Sequence, residues 1–293
     1  MKVIRAKVLG FCMGVRRAVD LALNTAAVMK HGLYCLGPLI HNAGVLKALE
    51  EKGIVFLKED QLLEEESLKE EDGTVIIRAH GVPPLEEEKI ARMGMHVLDA
   101  TCPHVKLNQG KAAALAKKGC VVFLAGEENH GEIAAIKGYI EEADGKCLVV
   151  GNPDASETEA RRLLSREPNA NVALISQTTI RAEEYSAIEE KIRQFFPYLE
   201  TVDSICRATK DRQEALRELC GKTEAIIIAG SQDSANTQRL LSLARGLGKP
   251  AWLVETPDNL PAEIKHYKTA GLSAGASSPD ELIDEIEEAL KAM

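Results

Sequence analysis

The sequence predicts an α/β fold in which three similar lobes are built on mostly parallel sheets. Short apolar runs rich in β-branched residues alternate with helical patterns along nearly the whole chain, as β-α units around parallel sheets do. The clearest helical patterns end in a basic residue followed by glycine, which is typical of helix C-termini. A short motif that ends in cysteine occurs twice, which indicates an internal repeat.

Eight short runs are predicted to be strands because they are apolar and bounded by turn residues. They lie at 3–9, 75–79, 97–99, 121–125, 148–150, 172–175, 225–229 and 251–254. Helices fill much of the space between them. Examples are 15–30, which Gly32 follows, and 105–118, which Gly119 follows. The acidic stretch 59–72 is interpreted as a solvated helix or loop.

The repeated motif places a cysteine where a predicted strand is followed by a helix. Residues 97–102 read Val-Leu-Asp-Ala-Thr-Cys, and residues 201–206 read Thr-Val-Asp-Ser-Ile-Cys. Residues 8–12, Val-Leu-Gly-Phe-Cys, precede a helix in the same manner. Three such units predict a three-lobed molecule whose cysteines converge at its centre.

The composition is that of a globular protein, with 45% hydrophobic and 28% charged residues. A net charge of -9 opposes a broad nucleic-acid surface, and an aromatic content of 4% opposes base-stacking platforms. Basic residues interrupt the N-terminal apolar residues, and no later run reaches membrane-spanning length. We therefore expect a cytoplasmic protein without nucleic-acid or membrane partners, in which cysteines stay reduced.

The seven cysteines form two groups. Four lie in apolar strand-like runs or end a helix, and are interpreted as small buried hydrophobic residues: Cys35, Cys120, Cys147 and Cys220. Three begin predicted helices, where the helix dipole stabilises a thiolate and an anionic cluster bound to it: Cys12, Cys102 and Cys206. Spacing alone leaves open that these three are unrelated cysteines near helix starts.

The chain has no Cys-x-x-Cys, so its cysteines form neither a ferredoxin-type cluster motif nor a zinc ribbon. Three thiolate ligands would leave one iron of a four-iron cluster open to substrate as a Lewis acid. A cluster that only transfers electrons is usually fully ligated. The three cysteines therefore indicate chemistry on a bound ligand.

Short polar groups follow several predicted strands, where open α/β sheets place their ligand crevices. Imidazoles, hydroxyls and amides near glycines have the composition of a phosphate site, and they lie at His41-Asn42, His80-Gly81, His130-Gly131-Glu132, Gln177-Thr178-Thr179, Ser234-Ala235-Asn236 and Ser277-Ser278. Taken singly, Ser234, Asn236 and Ser278 are equally well explained as helix N-caps. The other histidines are interpreted as surface or core residues: His31, His96, His104 and His266.

Glu132 is a candidate for proton handling because it lies in a glycine-flanked loop beside a histidine. The alternative is a solvated glutamate at a helix start. No other carboxylate of the chain has this setting.

Taken together, these motifs resemble the 4-hydroxy-3-methylbut-2-enyl diphosphate reductases, a family that catalyses the last step of the non-mevalonate isoprenoid pathway. The resemblance covers nearly the whole chain and keeps the order and spacing of every motif. It runs through residues 10–15, 40–42, 79–82, 99–103, 130–132, 177–179, 206–209, 230–231, 234–236 and 274–279.

The resemblance implies a trefoil of three α/β lobes around a central 4Fe-4S cluster whose ligands are Cys12, Cys102 and Cys206. The lobes are expected at 1–101, with 272–293 packing near it, at 102–201 and at 202–271. It also implies a set of side chains that hold the diphosphate: His41, His80, His130, Ser234, Asn236 and Ser277. Glu132 and Thr178 are expected near the allylic hydroxyl, and together with His130 they form the predicted catalytic group.

The implied reaction is a reductive dehydroxylation. The substrate hydroxyl binds the open iron, two electrons arrive through the cluster, and water leaves. Protonation of the allyl fragment at either end gives isopentenyl or dimethylallyl diphosphate. Flavodoxin or ferredoxin is the expected electron donor, because the chain has no Gly-x-Gly-x-x-Gly nucleotide loop. We expect Glu132 to deliver the proton, relayed by Thr178 or an ordered water.

Two positions depart from the family pattern. Ala235 replaces a serine, which removes one side-chain donor, and Gly131 replaces the proline of the usual His-Pro-Glu. Neither change removes a chemical group that the reaction needs. Two other functions are compatible with the cysteines: a quinolinate synthase-like dehydratase, which needs no external reductant, and an iron-sulfur sensor, which leaves the polar groups without a role.

Overall fold

The computed structural model describes residues 1–29, 32–57 and 73–293. The strands within them are β1 (Lys2–Arg5), β2 (Leu33–Leu36), β3 (Val55–Leu57), β4 (Thr74–Ile77), β5 (His96–Asp99), β6 (Val121–Ala125), β7 (Lys146–Val150), β8 (Val172–Ser176), β9 (Glu200–Thr201), β10 (Ala225–Ala229), β11 (Ala251–Val254) and β12 (Thr269–Ala274). The stretch predicted as an acidic helix or loop, 59–72, and His31 lie outside the described residues.

Helices connect most of these strands. They are α1 (Met13–Val28), α2 (Ala43–Glu50), α3 (Pro84–Arg92), α4 (Pro103–Lys117), α5 (Gly131–Glu142), α6 (Pro153–Arg166), α7 (Ala182–Arg193), α8 (Arg207–Cys220), α9 (Ala235–Gly246) and α10 (Asp280–Ala292). Two short 3₁₀ helices, Pro257–Asn259 and Ala262–His266, precede β12. None of the described helices is both long enough and apolar enough to cross a membrane.

The strands pair into three four-stranded sheets, with the orders β1-β12-β10-β11, β3-β2-β4-β5 and β7-β6-β8-β9. Every strand pair of the described chain is parallel. The inner strands β4, β6, β8 and β10 are buried over their whole length, as expected for strands covered on both faces. The predicted α/β class, with three lobes on parallel sheets, is confirmed.

The chain divides into two compact units. The first is formed by Met1–Arg16, Ile40–Leu49 and Arg207–Met293, and it contains the sheet β1-β12-β10-β11. In it, Ile226 and Ile228 of β10 pack with residues of α8 and α9 on one face. Ile227 points to the opposite face and packs with residues of α10. This period of two is what a strand between two helical layers requires.

The second unit is formed by Arg17–Leu39 and Glu50–Cys206, and it contains the other two sheets. Phe123 of β6 packs with residues of α6 and α7, while Val122 and Leu124 pack with residues of α4 and α5. Helix α5 also approaches the segment that starts α3. A Cβ at Gly138 would lie 2.6 Å from the Cβ of Pro83, so only glycine fits there.

The predicted strands all occur, with ends that coincide with the prediction or shift by up to four residues, but the sequence did not predict β2, β3, β9 and β12. Strand β12 reads Thr-Ala-Gly-Leu-Ser-Ala, in which Thr269 is the single β-branched residue, whereas most strands are rich in such residues. Its small residues are explained by packing. A Cβ at Gly271 would lie 2.7 Å from Ile226 Cδ1 and 2.8 Å from Leu219 Cγ.

The pairing of β12 also bears on the expected lobe boundaries. Strand β12 lies between β1 and β10, and the boundary expected between 271 and 272 falls inside it. Strand β1, from the range expected for the first lobe, therefore shares a sheet with strands expected in the third. The sequence does not show which parallel strands pair, because their connections are long. The division at 101 and 201 stays a prediction.

Candidate active site

The predicted polar residues lie in loops at the carboxyl ends of strands, where parallel sheets bind ligands. In the second unit, His80 and Cys102 follow β4 and β5, and His130, Thr178 and Cys206 follow β6, β8 and β9. In the first unit, Ser234 and Ser277 follow β10 and β12, and His41 precedes α2. His80, His130, Thr178 and Ser234 follow predicted strands, as expected, whereas His41 and Ser277 follow β2 and β12, which the sequence did not predict.

Glu132 is buried, with 1% of its surface exposed, in the first turn of α5. Its two carboxylate oxygens accept hydrogen bonds from one residue: Oε1 from the Thr178 backbone N–H at 2.7 Å and Oε2 from the Thr178 hydroxyl at 2.8 Å. The alternative of a solvated glutamate is therefore wrong. Glu132 and Thr178 form a buried, hydrogen-bonded pair, and the proton relay expected of them stays a prediction.

His130 is the N-cap of α5, and its Nδ1 accepts a hydrogen bond from the Glu132 backbone N–H at 3.1 Å. An accepting Nδ1 carries no proton, so the imidazole in this arrangement is neutral and has its proton on Nε2. The His80 ring meets the His130 ring edge to face, with centroids 5.1 Å apart. Two predicted ligands of the diphosphate are thus neighbours.

In the first unit, the Ser277 hydroxyl donates to the backbone carbonyl of His41 at 3.0 Å. Asn236 is 5% exposed in the first turn of α9, and its amide nitrogen has no hydrogen-bond partner in the described chain. The buried Thr237 hydroxyl also lacks one there. Unsatisfied buried donors destabilise a protein by about 1–3 kcal/mol each. An acceptor supplied by a ligand would satisfy these donors.

The structure shows which of Ser234, Asn236 and Ser278 are helix N-caps. Ser234 is the N-cap of α9, because its Oγ accepts from the Thr237 N–H at 3.3 Å. Asn236 lies inside the helix and is no cap. Ser278 donates to the Ala229 carbonyl at 2.8 Å, and the N-cap of α10 is Pro279. Ser278 is therefore no cap, and it ties the loop between β12 and α10 to the end of β10.

Other members of the polar groups have structural bonds. Asn42 accepts from the Val45 N–H at 3.0 Å and so caps α2. The Gln177 amide donates to the Thr179 hydroxyl at 3.0 Å. The histidines predicted to lie outside the site and present in the described ranges are exposed: His96, His104 and His266.

The three cysteines singled out by the sequence each directly precede a helix and are half-buried: Cys12 before α1, Cys102 before α4 and Cys206 before α8. Backbone bonds hold them to neighbouring loops. The N–H of Cys102 donates to the Ala79 carbonyl at 2.9 Å, and that of Cys206 donates to the Thr178 carbonyl at 3.0 Å. In the first unit, the N–H of Cys12 donates to the Ala276 carbonyl at 3.2 Å.

The other four cysteines have thiols whose pKa is raised by burial. Burial raises the pKa of Cys35 on β2 and of Cys147 on β7 to about 12. Burial also raises the pKa of Cys120 and Cys220. Cys147 is half-buried, whereas the other three are buried as expected. All four stay protonated near neutral pH, which makes them poor metal ligands.

Three buried arginines, Arg78, Arg212 and Arg239, were not predicted from the sequence, and the bonds of two of them support the loops of the site. Arg78, which follows β4, donates from Nε to the Gly81 carbonyl at 3.2 Å. Arg212 of α8, 2% exposed, donates to the carbonyls of Gly10 at 2.9 Å and Ala274 at 3.0 Å, and so supports the turn before Cys12. A signal for Arg78 exists in the sequence, because it is the single cation in the apolar run 74–79.

Buried polar pairs and half-buried thiols at the carboxyl ends of parallel strands define an α/β enzyme. Comparison with known proteins identifies its family. The model of the family described as LytB protein matches residues 3–291. The chain belongs to the LytB family, and it is an oxidoreductase.

Curated relatives match along the whole chain. A protein from Treponema denticola named 4-hydroxy-3-methylbut-2-enyl diphosphate reductase is 43% identical, over 99% of this chain and 99% of its own length. A protein of the same name from Aquifex aeolicus is 35% identical, over 97% of this chain and 94% of its own length. The family resemblance inferred from the motifs is confirmed.

Solved structures agree in fold. The E-1-hydroxy-2-methyl-but-2-enyl-4-diphosphate reductase from Plasmodium falciparum matches with a TM-score of 0.89 and 27% identity, over 98% of this chain and 87% of that chain. A structure of (E)-4-hydroxy-3-methyl-but-2-enyl diphosphate reductase, the terminal enzyme of the non-mevalonate pathway, matches with a TM-score of 0.70 and 32% identity over 100% of both chains.

Proposed function

We propose that this chain reduces 4-hydroxy-3-methylbut-2-enyl diphosphate to isopentenyl diphosphate and dimethylallyl diphosphate. The reaction takes up two electrons and two protons, breaks the allylic C–O bond and releases one water. One observation carries the proposal: the buried Glu132 carboxyl is held in place by two hydrogen bonds from Thr178. The names of the relatives support the choice of substrate.

Cys12, Cys102 and Cys206 are the proposed ligands of a 4Fe-4S cluster. These three thiols suit an iron-sulfur cluster, because each is half-buried at a helix start, where the helix dipole stabilises the thiolate. When bound, such a cluster supplies the electrons and a Lewis-acidic iron for the substrate hydroxyl. A flavodoxin or ferredoxin is the proposed source of the electrons.

The diphosphate is proposed to be bound by six residues: His41, His80, His130, Ser234, Asn236 and Ser277. Asn236 offers a buried amide nitrogen that lacks an acceptor in the described chain. It lies in the first turn of α9, where helix N–H groups favour an anion. His130 offers Nε2–H, because its Nδ1 is engaged by the Glu132 N–H.

Glu132 is proposed to supply the proton that lets the hydroxyl leave as water. Hydroxide is a poor leaving group, so a positioned acid lowers the barrier. The Thr178 hydroxyl donates to Oε2 at 2.8 Å. When the carboxyl is protonated this bond reverses, and the Thr178 hydroxyl can pass a proton onward. Burial of the pair excludes bulk water from competing for it.

The test is Glu132→Gln, which keeps the shape of the side chain and removes the transferable proton. Turnover with a chemical reductant is expected to fall roughly 10²- to 10⁴-fold, the usual range for a lost general acid. The cluster spectrum, and its change on adding substrate, are expected to persist. The matched control is Glu128→Gln, an exposed glutamate in the loop that precedes α5, which should keep normal turnover. Near-normal turnover in Glu132→Gln would refute the role.

A further inference from the structure

The chain between β9 and Cys206, residues 202–205, is held by side chains of two helices of the second unit. Three consecutive backbone carbonyls of this segment each accept a hydrogen bond from a side chain. In order along the segment, Tyr185 Oη donates to Val202 at 2.8 Å, Lys111 Nζ to Asp203 at 3.1 Å and Asn108 Nδ2 to Ser204 at 2.9 Å. Lys111 and Asn108 belong to α4, which begins directly after Cys102. The segment before one proposed cluster ligand is therefore tied to the helix that follows another.

Ser204 ties the same segment to β8 through its hydroxyl. Its Oγ accepts a hydrogen bond from the Ser176 N–H at 2.9 Å and lies 2.7 Å from the Ser176 Oγ, which is also hydrogen-bonding distance. Ser176 is the last residue of β8. In a regular parallel pair a backbone carbonyl accepts such an N–H. The Ser204 side chain therefore extends the contact between the two chain segments beyond the end of β9.

Backbone bonds hold both ends of the segment. The Val202 N–H donates to the Leu174 carbonyl at 3.0 Å, and the Cys206 N–H donates to the Thr178 carbonyl at 3.0 Å. Thr178 in turn donates to both carboxylate oxygens of Glu132. The segment thus connects a proposed cluster ligand with the residues of the proposed proton relay.

The side chains that bond to Ser204, and Ser204 itself, are buried. Asn108 is 2% exposed, Ser176 is 0% exposed and Ser204 is 4% exposed. Water cannot readily replace a hydrogen-bond partner that is lost at such a depth, so loss of one side chain leaves its partner unsatisfied. A hydrophobic residue at position 108 would fill the buried face of α4 without needing a partner. The Asn108 amide is therefore explained by the Ser204 carbonyl that it bonds.

We propose that Asn108 and Ser204, assisted by Lys111, are positioning residues that fix the Cys206 thiol relative to α4 and to Thr178. Groups that orient metal ligands typically change metal affinity or activity about 10- to 100-fold when they are replaced. The inference rests on the proposed function, since it takes Cys206 as a cluster ligand.

The test compares Asn108→Ala and Ser204→Ala with the wild type, each as anaerobic, cluster-loaded protein. The first readout is the rate at which an iron chelator removes iron, and both variants are expected to lose iron about tenfold faster or more. The second is the electron paramagnetic resonance signal of the chemically reduced protein. It should broaden or shift in both variants, because the Cys206 thiol is no longer held in one position.

Ser156→Ala is the matched control that separates positioning from a general loss of stability. Ser156 is 0% exposed in α6, and its Oγ donates to the Pro153 carbonyl at 2.6 Å. This variant therefore also loses a buried hydrogen bond, but in a helix that follows none of the three proposed ligands. Its urea midpoint should fall, while its chelation rate and resonance signal should match the wild type. A merely structural role of Asn108 and Ser204 predicts that the chelation rate follows the urea midpoint in all three variants.

A wild-type chelation rate and signal in Asn108→Ala or in Ser204→Ala would overturn this inference alone, and so would equal changes in Ser156→Ala. Failure of the wild type to hold a cluster would overturn the proposed function as well. If the buried variants do not fold, Lys111→Met decides, because Lys111 is half-buried and this change removes the donor to the Asp203 carbonyl. Iron loss should then be severalfold faster, and a wild-type rate would contradict the inference.

Discussion

At the scale of single residues, the site combines groups that are fully satisfied with groups that are not. Both oxygens of the buried Glu132 carboxyl are bonded to Thr178. The buried amide nitrogen of Asn236, in contrast, has no partner in the described chain. Satisfied buried groups hold a geometry, whereas an unsatisfied donor favours binding of an acceptor. The two residues therefore suit proton delivery and anion binding respectively.

The cysteine assignment predicts that the seven single Cys→Ser variants fall into two groups, those that lose the cluster and those that keep it. Cys12→Ser, Cys102→Ser and Cys206→Ser should each abolish or degrade the iron-sulfur absorbance, because a hydroxyl is a poor ligand for iron. The matched controls are the four cysteines whose pKa is raised by burial, and they should keep the absorbance: Cys35→Ser, Cys120→Ser, Cys147→Ser and Cys220→Ser. A normal cluster in Cys102→Ala would contradict the assignment.

The Asn236 amide is expected to contribute to diphosphate affinity. Asn236→Ala should weaken binding of inorganic diphosphate by about tenfold, because a donor to a charged acceptor is lost. The fold should not suffer, since the amide nitrogen bonds to nothing in the described chain. Equal affinity of wild type and variant in calorimetry would show that Asn236 does not contact the anion. Asn169→Ala, an exposed loop asparagine, is the control.

At the scale of elements, the residues proposed to act in the site lie in or next to the turns between strands and helices. The turn from β5 to α4 is an example. Asp99, at the end of β5, accepts from the Thr101 N–H at 2.8 Å and pairs with Lys106 in the first turn of α4. Cys102 is the N-cap of that helix, and Pro103 at the first helical position presets its φ. The carboxylate thus fixes the turn that presents a proposed ligand.

This turn is expected to make stability depend on pH. Burial alone would raise the pKa of Asp99, but the Lys106 ammonium and the Thr101 bonds outweigh burial and hold the pKa below its ordinary value. The ionised Asp99 carboxylate therefore stabilises the folded protein at pH values above the unfolded pKa of about 3.9. This stabilisation is lost as pH falls through the lower folded pKa. Asp99→Asn should therefore be less stable than wild type at pH 7 by about 1 kcal/mol.

Urea unfolding of the anaerobic protein at neutral pH and below about pH 4 measures this difference, which should shrink on acidification. Asp258→Asn, at an exposed carboxylate in a 3₁₀ helix, should show no such dependence. A stability difference that is the same at both pH values would show that the Asp99 charge is not responsible.

At the scale of the whole molecule, three parallel sheets place many loops at strand ends, and each of those loops can carry a ligand-binding group. The chain has a net charge of -9, yet it is proposed to bind a diphosphate. Donors close to the anion can outweigh the net negative charge, because the field of exposed charges is screened within about 10 Å at ordinary salt. Helix N-termini and imidazoles act at much shorter range.

The proposed reduction requires an external source of electrons. Turnover of 4-hydroxy-3-methylbut-2-enyl diphosphate should stop when the reductant is omitted and resume on addition of reduced flavodoxin or ferredoxin. Product analysis by chromatography should give isopentenyl and dimethylallyl diphosphate together. Cys102→Ser protein with the same reductant is the control, and it should give neither. Dehydration without reductant would favour the dehydratase alternative.

The sequence predicted eight of the twelve described strands and missed the edge strands β3 and β9 and the inner strands β2 and β12. Strands β6 and β10 have the predicted ends, because buried central strands are continuous apolar runs. Strand β9 has two residues, too few for any pattern to show. Strand β12 escaped because close packing around Gly271 selects small residues, which are rare in strands.

By itself, the sequence determined the fold class, the family, the two groups of cysteines and the polar residues at strand ends, because these depend on local patterns and on the order of motifs. Only the tertiary structure showed that Glu132 is buried against Thr178, that the Asn236 amide is unsatisfied and that Asn108 bonds to the Ser204 carbonyl. The physical reason is that burial and hydrogen bonding join residues 46 or 96 positions apart, and no local pattern carries such contacts.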